Sequence, residues 1–185
     1  MQIMKIKRVI ALVVLLSIAG LAQASIPAAR ALDSNQAPDL PSPLCDHLQV
    51  PEGNKVAFHV YARGVQIYNW NGTSWVFVAP SAMLFADAGY HGQVGIHYAG
   101  PTWESNSGSK VVAAGPIRCF PDPTAIPWLR LQAASTNGPG IFGSVTYVQR
   151  TNTTGGLAPT APGSSIGDSV EVPYTAEYYF YRSED

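Results

Sequence analysis

The sequence predicts a single all-β domain, an antiparallel β-sandwich or barrel of about seven strands or more. Three observations lead there. Apolar and polar residues alternate with a period of two through most segments after residue 54. Turn signals rich in Gly, Pro, Asn and Asp recur about every 8–15 residues. No stretch carries the 3.6-residue apolar period of an amphipathic helix.

The first strand spans residues 55–61 (KVAFHVY), with Val56, Phe58 and Val60 on one face and Ala57, His59 and Tyr61 on the other. Residues 65–78 read as a hairpin, because Asn71-Gly72 between two aromatic-rich runs has the composition of a two-residue type I′ turn. A short helical turn is expected at residues 81–85, after Pro80. Further strands fall at 93–98 and 109–114, separated by a loop. Residues 128–134 alternate Leu129, Leu131 and Ala133 against Trp128, Arg130 and Gln132, a strand period in a helix-like composition. The turn Asn137-Gly138-Pro139-Gly140 leads into a strand at 141–149. Residues 151–169 are a Thr/Gly/Pro/Ser loop. The last strand, 172–181, sets Tyr174, Ala176, Tyr178 and Phe180 on one face.

The N-terminus has the order of a secretory signal peptide. Lys5, Lys7 and Arg8 precede apolar runs at residues 9–16 and 18–21, and Ala22-Gln23-Ala24 supplies a small-x-small cleavage site before Ser25. An apolar stretch of about 13 residues is short of the roughly 20 that span a bilayer. The expected organisation is a signal peptide at 1–24, an Ala/Pro/Ser leader at 25–44 and one domain at 45–185. The expected location is periplasmic or secreted, with no membrane association after cleavage.

Without the three basic residues of the signal, eight Lys and Arg face twelve Asp and Glu, a net charge of about −4. That balance lacks the basic footprint of a nucleic-acid binder. Only 12% of residues are charged, against about 25% in ordinary domains, while 46% are hydrophobic, so the chain is a folding composition and not a disordered one. In an oxidising compartment the two cysteines, Cys45 and Cys119, are most simply a disulfide.

No nucleophile elbow, phosphate loop, HExxH or CxxC motif is present, and no cofactor or metal is expected. The densest unusual segment is 95–110, GIHYAGPTWESNSGSK, which gathers His97, Trp103, Glu104 and Lys110 around Gly100-Pro101. It reads either as an aromatic platform with a carboxylate for a ligand, or as structure, with Trp103 in the core and Glu104 paired to Lys110. His59, His97 and Glu104 together could supply three metal ligands with an open position, if strands bring them together.

Five segments, NKVAFHVYARGVQIY (54–68), SWVFVAP (74–80), HYAGPTWESNSGSKVV (97–112), IPWLRLQA (126–133) and VTYVQRTNTTGG (145–156), closely resemble the secreted family catalogued as domain of unknown function 3455. The similarity covers about residues 45–181. It implies an exported domain of bacteria, fungi and plants and names no activity. Some fungal relatives carry a malate dehydrogenase label, but the GxGxxG turn of a dinucleotide fold is missing here.

The leading functional expectation is non-catalytic binding of an envelope or extracellular ligand such as a glycan, using His59, His97, Trp103, Glu104 and Lys110. One alternative is a secreted hydrolase or metal-dependent enzyme using His59, His97 and Glu104. The other is a structural envelope protein with no small ligand.

Overall fold

The computed structural model describes residues 36–184. The expected signal peptide, its cleavage site and residues 25–35 of the leader lie outside the described residues.

Eight antiparallel strands close into one barrel, each paired with its neighbour in sequence and the last with the first. They are β1 Asn54–Trp70, β2 Trp75–Phe85, β3 Gln93–Tyr98, β4 Thr102–Ser105, β5 Lys110–Cys119, β6 Trp128–Asn137, β7 Tyr147–Gly155 and β8 Ser169–Ser183. The closing pair is long: Asn54 lies opposite Ser183 and Asn69 opposite Ser169. Closure leaves no free terminal strand, which is how an all-antiparallel sheet avoids exposed edges.

The alternation read in β8 is the alternation of the barrel wall. Tyr174, Ala176, Tyr178 and Phe180 point inward and are nearly inaccessible. On β1 their partners are Gly64, Ala62, Val60 and Phe58. Gly64 has a steric reason: a Cβ there would overlap the Ser81 carbonyl oxygen of β2, so only glycine lets the two strands approach this closely.

Several local expectations are corrected, beginning with the segment between residues 98 and 109, which reads as a loop in the sequence and holds β4, paired with β3 and β5. A bulge between Val56 and Phe58 breaks the period of two, so Val56 does not share a face with Phe58; it packs outside against Tyr179 and Tyr181. Trp70 pairs with Trp75, making the hairpin loop four residues and not two, with Asn71 Oδ1 accepting from the backbone N–H of Thr73 and Ser74. Residues 81–85 continue β2 as strand. Pro80 is tolerated there because β3 pairs only with residues 82–85, leaving the Pro80 stretch bonded on one side alone. Residues 141–146 are turn, not strand, and β7 runs from 147 into the segment read as loop.

The expected disulfide is formed. Cys45 and Cys119 are bonded with Cα atoms 5.5 Å apart. The bond ties residues 40–50, which include a single 3-10 turn at Asp46–Leu48, to the outside of the barrel. Leu40, Leu48 and Trp128 pack around it. Gln149 Nε2 donates to Leu48 O at 2.6 Å, and the Arg130 guanidinium donates to Gln49 O. The packed structure thus reaches back to Leu40, into the expected leader. Among the described residues no helix is long and apolar enough to cross a membrane.

The bridge closes a loop across 74 residues of separation. Its loss in a Cys45→Ala/Cys119→Ala variant is expected to lower stability by about 2–4 kcal/mol. Urea unfolding of the two proteins measures this, and coincident midpoints would show that the strap contributes nothing.

Candidate functional site

The barrel interior is filled at one end only. There the turn after β6 inserts Phe142, fully buried between Phe58 and Phe180 at centroid distances of 5.5 and 4.9 Å. At the other end a cavity of about 510 Å³ remains. Its walls are mainly apolar, with Pro80, Ile126, Leu129 and Leu131 among them. It reaches solvent past Phe77, Val78, Pro116 and Arg118, all of which are exposed.

The cavity floor is aromatic. The His97 ring lies on the Trp103 indole with centroids 4.3 Å apart and planes within 10°. Tyr178 meets both edge-on, at 5.1 and 5.3 Å. β3 and β4 produce this stack because His97 and Trp103 are directly cross-strand partners with inward side chains. His97 Nδ1 donates to the Thr102 carbonyl at 2.8 Å, and a carbonyl can only accept, so the proton sits on Nδ1. Burial pushes the imidazole pKa down to about 3; the Thr102 bond acts the other way, and the charge of Arg150 adds to the depression. His97 is therefore neutral at physiological pH.

Arg150 supplies the buried charge of the cavity. It projects inward from β7 and is 8% exposed. Its Nε and Nη2 both donate to the Pro127 carbonyl, at 3.1 and 2.8 Å. Gln66, at an inward position of β1, has its side-chain amide buried against the Tyr174 hydroxyl. The indole N–H of Trp103 is buried and unbonded. Tyr68 is already committed, donating to Gly156 O at 2.6 Å.

The model of a family described as protein of unknown function (DUF3455) matches residues 51–182. The chain belongs to this family. No curated protein and no solved structure matches it. The match begins three residues before β1 and ends one residue before the last of β8, so the DUF3455 domain is the barrel itself, and all strands bearing the cavity lie within it.

The DUF3455 barrel distributes the sequence-predicted residues over three places. His97 and Trp103 line the cavity from within. Glu104 and Lys110 face outward, as their neighbours in the β4 and β5 alternation require, and form an ion pair at 3.2 Å. The Tyr98 hydroxyl donates to Glu104 at 2.6 Å, and this bond, together with the hydrogen bond and charge of Lys110, holds the carboxyl below its usual range. His59 is on the outer face of β1, stacked on Tyr179 at 4.8 Å over a second, smaller cleft lined by Asp39, Asn152 and Glu177. His59, His97 and Glu104 therefore do not converge, since the wall separates His97 from the other two. Among the described residues no three His, Cys, Asp or Glu stand close enough to hold a metal ion.

Two cavity residues of the DUF3455 barrel went unnoticed in the sequence, Gln66 and Arg150. Each had a readable signal. Arg150 follows Val148 at the same parity in VTYVQRT, and Gln66 lies at the parity of Ala62 and Tyr68. A polar side chain at an inward position is the mark of a buried site.

Proposed function

We propose that this domain is an exported binding protein that takes a small, largely apolar organic molecule into the open end of its barrel. The half-filled interior carries the reading. Phe142 closes one end, while about 510 Å³ at the other end is left unfilled by side chains. An eight-stranded barrel has room either to be filled by its own side chains or to hold one small ligand. Clefts of about 300–1,000 Å³ with apolar walls and a few polar groups are the usual form of such sites. The disulfide and the signal-like N-terminus fit a ligand met outside the cytoplasm. A sugar could not stack on Trp103 at the surface, because that ring is 1% exposed. A glycan would have to enter the cavity, and its apolar walls favour a less polar guest.

The test is titration with N-phenyl-1-naphthylamine, a neutral dye that fluoresces in apolar surroundings. Saturable uptake of one dye per barrel is expected, and Leu129→Trp, which fills the cavity, should weaken it at least tenfold. Absence of saturable uptake, or equal uptake by the filled variant, would rule out the cavity as a binding site.

A further inference from the structure

We infer that the ligand is an organic monoanion, a carboxylic acid with an apolar body, whose carboxylate is received by Arg150. The inference rests on the cavity reading above and specifies what enters.

The argument starts from charge. A buried guanidinium is costly unless something negative accompanies it. Among the described residues the ion pairs are Asp87 with His91 and Glu104 with Lys110, so Arg150 has no carboxylate partner. The cavity lining includes Arg118 at the rim, Arg150 within and neutral His97, and no Asp or Glu. The single protein group that Arg150 bonds, the Pro127 carbonyl, takes Nε and Nη2 and leaves Nη1.

The hydrogen-bonding inventory points the same way. Trp103 Nε1 is a buried donor with no acceptor, and it lines the same cavity as Arg150. A buried donor left unmade is destabilising and uncommon, so one beside a buried guanidinium describes a guest that brings acceptors. One buried cation calls for one negative charge. A carboxylate has two oxygens and about four lone-pair positions, and a planar guanidinium matches it better than an ammonium would. The remaining walls are apolar or aromatic, so the body behind the carboxylate is hydrocarbon or ring.

Displacement of N-phenyl-1-naphthylamine by decanoate and by decan-1-ol at neutral pH tests this. Decanoate is expected to displace the dye at a concentration at least tenfold lower than the alcohol. Arg150→Met should bind the dye and lose the preference for the acid. Equal potency of acid and alcohol on the unmodified protein overturns the inference without any variant, so a misfolded Arg150→Met leaves the test intact. Retention of the preference in a folded Arg150→Met overturns it as well. Dye uptake that neither compound displaces defeats the carboxylate assignment alone, whereas failure of the dye to enter defeats the cavity reading and this one together.

Discussion

Replacing Trp103 with alanine is expected to destabilise the domain by about 3–5 kcal/mol, a large part of the roughly 5–15 kcal/mol that holds a domain of this kind folded. The indole is 1% exposed and contacts three rings: His97 stacked at 4.3 Å, and Tyr178 and Phe180 edge-on at 5.3 and 6.0 Å. Its removal takes away buried area and leaves a void that the rigid wall of β-strands cannot collapse into. Urea unfolding monitored by circular dichroism gives the number. A loss below about 1 kcal/mol would mean that Trp103 is a dispensable lining of the cavity and not its floor.

Acid should act on the same stack from the other side. In the unfolded chain His97 titrates near 6.5, and in the barrel it is pushed down to about 3. Between those values the unfolded chain takes up a proton that the folded one refuses. The contribution of His97 is thus fully present above pH 6.5 and declines as the pH falls toward 3. At about 1.4 kcal/mol per pH unit, the full decline is on the order of 4–5 kcal/mol. The group is completely buried, so solvent screening does not reduce this. His97→Gln keeps a polar ring-sized side chain without the titration, and its stability should fall less steeply between pH 6.5 and 3. Parallel curves for the two proteins would show that His97 does not report the acid response.

Much of the barrel was written in single strands. β3 and β8 follow directly from alternation, and the disulfide follows from the cysteine number and the oxidising compartment that the N-terminal sequence led us to expect. What alternation could not express was departure from itself. The bulge at residue 57 shifts Val56 to the other face, and a period-two count has no means of placing an extra residue. Phe142 looked like strand because Ile141 and Phe142 are apolar, yet its work is to plug the end of a barrel that only exists once eight strands have closed. The site was less legible. The segment around Trp103 attracted notice for its composition, but whether Trp103 and Glu104 share a space depends on which side of the wall each faces. They are adjacent in sequence and so must face opposite ways. Arg150 lay in an ordinary-looking strand, conspicuous only once Val148 and Arg150 were seen to point into the same interior.

The pairing of β1 with β8 also bears on how the chain can be made. The first and last strands of the domain are partners along most of their length, from Asn54 with Ser183 to Asn69 with Ser169. Contacts between such distant parts of a chain form late, because the ends must find each other across everything between them. Until residues 169–183 have emerged, β1 and β7 each keep an unsatisfied edge, and no partial product can close. Under the export proposed above, with the chain threaded through a translocation pore from its N-terminus, that delay is useful: the segment still behind the pore holds the key, and the portion ahead of it stays unlocked until transit is complete.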